Sequence, residues 1–239
     1  MKEDKPLGQP SYGSIPLLPH SRVTPADHHC HEGQARIATV KLRDRHDEVI
    51  AQEKLDGSNV GVALLNGQVL AITRAGYLAA TSPFEQHWHF AAWVEKNRSR
   101  FLDVLHEGER ICGEWLMQAH GTRYCLPHEP LVCFDIMKVA YRLPYDEFLQ
   151  RIRGAEFVHA HLVWRGPAIS VAATLDILGL HGFHGAQDEI EGVVWRVQRK
   201  GQVDFLVKYL KPTKVDGSYL PEVSGQGPVW NWQPPAAAS

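Results

Sequence analysis

Apolar and polar positions follow two different periods along this chain. Over residues 35–74 the apolar residues come in short runs, RIATVKL, VIAQEKL, NVGVALL and VLAITR, separated by Asp56-Gly57 and Asn66-Gly67. Runs of that length between turn pairs predict β-strands, and Asn-Gly between two of them is a strong hairpin signal. The period changes after Ser82-Pro83. Phe84, Trp88, Ala91, Ala92, Val94, Phe101, Leu102 and Leu105 recur at helical spacing and predict one long helix over 82–105. Strands are predicted again at RICGEWLM and LVCFDIM, then short helices over 144–153 and 170–178. The last strands are GVVWRVQ and VDFLVKYL, on either side of the Lys200-Gly201 turn. Residues 1–34 read as an irregular arm rich in Pro, Gly and His, whose segment 12–22 carries apolar side chains that pack on the body. Residues 35–220 read as the main domain, and 221–239 as a turn-rich, partly disordered tail. The pattern as a whole predicts an α+β domain of twisted antiparallel sheets with helices on their outer faces.

Composition narrows this only a little. With 44% hydrophobic and 22% charged residues in 239, the chain is an ordinary globular protein with enough length for a substantial core. No apolar run approaches the roughly 18 residues of a membrane span, and MKEDKPLGQPSYGS lacks the apolar core of a secretory signal. Cys30, Cys112, Cys125 and Cys133 form no CxxC pair, which predicts buried free thiols and a cytoplasmic location. A net charge of −2 excludes coating of nucleic acid by bulk charge and leaves room for a local basic groove. Arg98, Arg100, Arg123, Arg142, Arg151 and Arg153 are candidates for such a groove, although acids lie among them. Asp27-His28-His29-Cys30-His31 invites a metal reading, but it lacks a second, separated ligand pair and reads as a polar loop.

The chemistry concentrates around Lys54, in Glu53-Lys54-Leu55-Asp56-Gly57-Ser58-Asn59. A lysine where a strand bends can serve as a covalent nucleophile, since partial burial and nearby cations lower its pKa towards neutrality. A surface hairpin with an Asp-Gly turn explains the same residues. Four further charges, Arg74, Glu114, Glu191 and Lys208, lie in segments otherwise apolar enough to be core. Each alone reads as solvent-facing. Together they predict a cleft between two sheets lined by three cations and two carboxylates. A nucleoside triphosphate needs that combination: cations for its phosphates, carboxylates for Mg²⁺ and ribose hydroxyls.

Six ordered segments resemble the motifs of covalent nucleotidyltransferases, the superfamily of ATP-dependent ligases and capping enzymes, and most closely the RNA ligase 2-like family. Lys54-Leu55-Asp56-Gly57 matches the nucleophile motif, and Arg74 the phosphate- or ribose-contacting arginine. Glu114 in Cys112-Gly113-Glu114-Trp115 matches the third motif, and Phe134 in Cys133-Phe134-Asp135-Ile136 the aromatic that stacks on adenine. Glu191-Gly192-Val193-Val194 matches the fourth motif, and Lys208-Tyr209-Leu210-Lys211 stands where the family usually has Lys-x-Lys. The resemblance implies a ligase adenylation domain, ATP-grasp-like, with the nucleotide cleft between its sheets. It implies Lys54 as nucleophile, with Glu53, Asn59, Arg74, Glu114, Phe134, Glu191, Lys208 and Lys211 on the nucleotide. It further implies Glu191 and Asp56 at Mg²⁺ or Mn²⁺, ATP as co-substrate, and RNA ends as the second substrate. Little chain follows the fifth motif, so the C-terminal domain with which many ligases grip nucleic acid is expected to be missing, leaving a place for a protein partner. DNA ligase, capping-type guanylyltransferase and a nucleotide-binding module without turnover remain open alternatives.

Overall fold

The computed structural model describes residues 5–24 and 27–233. In chain order its elements are α1 (Glu32–Thr39), β1 (Asp47–Lys54), β2 (Ser58–Leu65), β3 (Gln68–Thr73), α2 (Glu85–Lys96), α3 (Arg98–Val104), β4 (Glu109–Trp115) and β5 (Leu131–Lys138). There follow β6 (Tyr141–Arg142), α4 (Tyr145–Gly154), β7 (Leu162–Gly166), α5 (Val171–Leu178), β8 (Gly192–Arg199), β9 (Gln202–Leu210) and α6 (Pro221–Ser224). The strands form two sheets, ordered β7-β1-β8-β9 and β3-β2-β4-β5-β6. All strand pairs within them are antiparallel.

Asn66 and Gly67 both take positive φ, at 52° and 71°, and close the β2–β3 hairpin as the sequence predicts. The Asp56-Gly57 turn does something else. It carries the chain from β1 in the first sheet to β2 in the second, so the hairpin explanation of Lys54 fails. Gly57 is required there because a Cβ would lie 2.6 Å from the Trp115 carbonyl oxygen.

Two apolar clusters back the sheets. One joins the inner residues of β2, β4 and β5 to Phe90, Trp93, Phe101 and Phe148 of the helices. The other joins β1, β8 and β9 to Ala35, Ala38 and Leu178.

Two expectations need correction. RIATVKL, read as a strand, lies mostly in α1. Ala35 and Ala38 are buried at helical spacing while Val40 is 70% exposed, a pattern that strand alternation does not produce. The single helix over 82–105 is two: Asn97 leaves the helical region at φ −104° and ψ 16°, with its backbone N–H on the Trp93 and Val94 carbonyls and its side-chain amide also on the Trp93 carbonyl at 2.8 Å. Of the tail read as turn-rich and partly disordered, residues 221–233 are described. Val229 and Asn231 bond the 117–119 backbone, and Trp230 and Trp232 pack against the first cluster. Residues 234–239 lie outside the described residues. Of the thiols, Cys112 and Cys133 are buried as expected, Cys30 is half-buried, and Cys125 is exposed. Among the described residues no three His, Cys, Asp or Glu side chains converge as a metal cage, and no helix is long and apolar enough to cross a membrane.

Candidate active site

Lys54 is the last residue of β1 and pairs with Gly192, the first of β8, so the register places Glu191 beside it. Its ammonium lies 2.8 Å from Glu191 Oε2 and 3.7 Å from Glu114 Oε1, and it donates to the Leu55 carbonyl. Glu114 comes from the second sheet. Its backbone pairs with Asn59, and its carboxylate accepts the Gly57 N–H at 3.2 Å, tying the crossover loop to β4. A cleft of about 680 Å³ opens at this crossover, a volume suited to one nucleotide.

The other candidates divide into those on the cleft wall and those off it. Glu53, Asp56, Asn59, Arg74, Phe134 and Lys208 all line the cleft. Phe134 meets Tyr12 edge to face, with centroids 5.0 Å apart, leaving the ring between the two sheets. Lys208 of β9 is held by Asp27 at 3.3 Å, and Arg74 bonds Ser14 Oγ at 3.2 Å. Glu53 Oε2 accepts the Phe183 N–H at 2.9 Å, whereas its Oε1 and the Asn59 Oδ1 are buried without a partner. Lys211 does not join them. It lies outside the cleft lining, with its ammonium on Glu189. The chain turns after Leu210, and the shift from Lys-x-Lys spacing moves this lysine off the wall.

The electrostatics differ from the expectation at Lys54. Burial disfavours its charge, but Glu114 and Glu191 together outweigh burial and hold the ammonium well above the ordinary lysine range. In turn, burial and the neighbouring Glu191 push Glu114 up to about 7 despite Lys54. Burial and Glu191 likewise raise Asp56 to about 7, against the pull of Lys54 and Lys214. Asp56 Oδ2 accepts from Gly121 N and Thr122 Oγ1, both at 3.0 Å. Three carboxylates thus lie close together, and burial with repulsion from Glu191 raises two of them even beside Lys54, a repulsion that a divalent cation would relieve. The donor set fits Mg²⁺ or Mn²⁺ on that ground: oxygen ligands from one or two carboxylates, completed by substrate phosphates.

Several lining residues escape sequence reasoning. Arg22 comes from the arm, where a single charge in an irregular segment carries no signal, and Asp27 reads from sequence only as part of a polar loop. Arg22 reaches Glu191 at 3.7 Å. Lys214 is buried behind Asp56, donating to the Gly121 carbonyl at 2.6 Å and to Thr122 Oγ1 at 2.8 Å. His87 and Ser82 reach the cleft from α2 and the segment before it.

Residues 47–210, from the first residue of β1 to the last of β9, match the sequence profile of the family described as RNA ligase. The chain belongs to the RNA ligase family. By sequence, no curated protein matches this family member. Among solved structures it resembles an archaeal ATP-dependent RNA ligase, with a TM-score of 0.50, 22% identity and coverage of 81% of this chain and 48% of that one. A Naegleria gruberi RNA ligase variant with AMP and Mn gives a TM-score of 0.53 at 13% identity, covering 84% and 61%. An apo variant of the Naegleria gruberi RNA ligase gives 0.52 at 14% identity, covering 90% and 62%. These likenesses carry the nucleotidyltransferase fold of two antiparallel sheets with flanking helices. This RNA ligase family member spans about half the length of the solved ligases it matches, from 48% to 62% of these three.

Proposed function

We propose that this protein is an ATP-dependent RNA ligase that works through a lysyl-AMP intermediate. The observation that carries the reading is the position of the Lys54 ammonium. It sits between Glu191 and Glu114 in a nucleotide-sized cleft whose walls also hold Arg74 and Lys208. The nitrogen lone pair of neutral Lys54 attacks the α-phosphorus of ATP, an N–P bond forms, and the bond to the leaving pyrophosphate breaks. Before attack the ammonium gives up a proton, and Glu114, 3.7 Å away and raised to about 7, is placed to receive it while Glu191 stays ionised. Glu191 and Asp56 would hold Mg²⁺ or Mn²⁺, whose charge offsets the carboxylates and lowers the proton affinity of Lys54. Lys208 exchanges Asp27 for phosphate oxygens and stabilises the charge that grows on them. Phe134 gives the adenine a stacking face, the free Glu53 Oε1 an edge acceptor, and Glu114 a ribose acceptor. Asn59 and Arg74 serve the phosphate end. AMP then passes from Lys54 to a 5′-phosphate, and a 3′-hydroxyl displaces AMP to seal the strand. RNA ends as substrate, a cytoplasmic setting and a partner that supplies further grip belong to the same reading.

Incubation with Mg²⁺ and ATP labelled at the α-phosphate tests it. Acid-labile label on the denatured protein, absent from Lys54→Ala, is the expected result. Labelling by GTP in preference to ATP would instead point to a guanylyltransferase, and no label with either would sink the covalent mechanism.

A further inference from the structure

The N-terminal arm brings a cation to the cleft that the strands do not provide. It runs along the open edge of β9, where the Lys208 N–H donates to the Pro16 carbonyl at 2.9 Å and the Leu18 N–H to the Lys208 carbonyl at 2.8 Å. Further along, the Arg22 N–H donates to the Leu210 carbonyl at 3.0 Å. Leu17 and Leu18 are buried, which anchors the segment. Lys208 and Leu210 alternate on β9 and share the face that lines the cleft. Leu210 offers phosphate oxygens nothing. Arg22, held beside it by the arm, brings a guanidinium to the same wall.

That guanidinium has donors to spare. Its side-chain hydrogen bond among the described residues runs from Nη1 to the Lys214 carbonyl at 2.9 Å, and its Nε is buried without a partner. Nη2 has Glu191 Oε1 and Asp216 Oδ1 each at 3.7 Å, too far for a hydrogen bond. Other arginines of the chain behave differently. Arg100 on Glu129, Arg123 on Asp188 and Arg165 on Glu48 and Asp146 all make paired bonds of 3.1 Å or less. An arginine that stands beside carboxylates with its donors unspent is placed for an acceptor that arrives later. A phosphate group matches its planar fork.

We infer that Arg22 binds the phosphates of the nucleotide, and that in the empty cleft it rests against Glu191, which it yields to the divalent cation.

The inference rests on the ligase reading and deepens it at the phosphate end. Glu191 lies between two cations, with Lys54 2.8 Å from Oε2 and Arg22 3.7 Å from Oε1. A divalent cation on Glu191 would repel Arg22, while the phosphate oxygens arriving with that cation would attract it. The charge balance points the same way. Lys54 gives up its charge in order to attack, and Arg196 is committed to Asp135. Lys208 and Arg74 then face the several negative charges of a triphosphate, and Arg22 adds a third cation on the wall.

The test is calorimetric binding of three ligands, with Mg²⁺ present, to the wild type, Arg22→Gln and Arg22→Lys. The ligands are adenosine, AMP and the ATP analogue with a methylene bridge between its α- and β-phosphorus atoms, which cannot release pyrophosphate. Arg22→Gln is expected to bind the analogue roughly tenfold more weakly and adenosine as the wild type does. Arg22→Lys keeps the charge, loses the fork and is expected to fall between the two. A matching loss with AMP puts the contact on the α-phosphate, and an unchanged AMP affinity puts it on the β- or γ-phosphate. Without nucleotide, Arg22→Gln is expected to hold Mn²⁺ several-fold more tightly, a gain that a merely structural arginine would not give. Wild-type affinity for the analogue in Arg22→Gln, or an equal loss with adenosine, overturns the phosphate contact. Unchanged or weaker Mn²⁺ binding overturns the exchange at Glu191. If Arg22→Gln folds poorly, the ratio of analogue to adenosine affinity in Arg22→Lys decides. The lysyl-AMP label scores the ligase reading separately. Label with no loss of the analogue sinks the inference alone, loss without label sinks the covalent mechanism alone, and a wild type that binds no analogue sinks both.

Discussion

Glu53 and Lys54 are chain neighbours in opposite electrostatic settings. Lys54 faces two carboxylates, whereas burial raises the Glu53 carboxyl to about 7 with only the Phe183 N–H to offset it. A raised acid pKa makes the folded state hold its proton while the unfolded chain, near 4.5, has released it. Stability from this group is therefore complete below about 4.5 and is lost as pH rises through about 7, by up to roughly 3 kcal/mol. Glu53→Gln should match the wild type at pH 4.5 and melt at a higher temperature at pH 8 in ligand-free thermal scans. Equal melting at pH 8 would show that the carboxyl is solvated after all. At this scale the sequence makes the motif residues legible because a charge inside an apolar strand segment has few bland explanations. Arg22 and His87 are invisible, since polar side chains in an arm or a helix are ordinary, and only the tertiary fold turns them towards the cleft.

Strands buried on both faces are readable as apolar runs. β4 and β5 extend within two residues of their sequence-read limits, and α5 starts where Ser170 caps it. α1 was misread because its two small buried residues carry a weaker periodic signal than the branched residues around them. The break at Asn97 lies in the backbone dihedrals of one residue, which periodicity cannot register. The α5 cap offers a check on how much such local signals weigh. Ser170 Oγ accepts the Ala173 N–H at 3.2 Å, and the helix ends at Gly179 with φ of 70°. Ser170→Ala removes the acceptor and should cost about 1 kcal/mol, or about 2–4 °C in melting temperature for a chain of this size. Ser170→Asp should retain most of it. A loss of several kcal/mol would mean that α5 anchors the first sheet more strongly than its short contact with β7 and β8 implies.

The whole molecule is two sheets, each with its own apolar cluster, and the cleft exists only while their separation is fixed. The crossover at Asp56-Gly57 joins them covalently, and Asp135 joins them a second time. Asp135, on β5, is fully buried and accepts from Arg196 Nη2 of β8 at 2.5 Å, from Tyr12 OH at 2.6 Å and from Arg142 Nε at 3.3 Å. Arg196 is 2% exposed, and its Nε and Nη1 have no partner, so the guanidinium is incompletely compensated for its burial. A buried pair of this kind adds little net stability against an apolar replacement, yet losing one member strands the other. Arg196→Met should therefore destabilise the protein by roughly 3 kcal/mol, because Asp135 keeps its charge without its strongest donor. Asp135→Asn should also destabilise it, through the stranded guanidinium. The double variant should lose less than the two single losses added together, with a coupling of 1 kcal/mol or more in denaturant titrations. Additive losses would mean that apolar packing alone spaces the sheets. Positive coupling, accompanied by weaker ATP binding in each single variant, would mean that this pair sets the width of the nucleotide cleft, because Arg196 lines it and also donates to the Phe134 carbonyl at 3.0 Å.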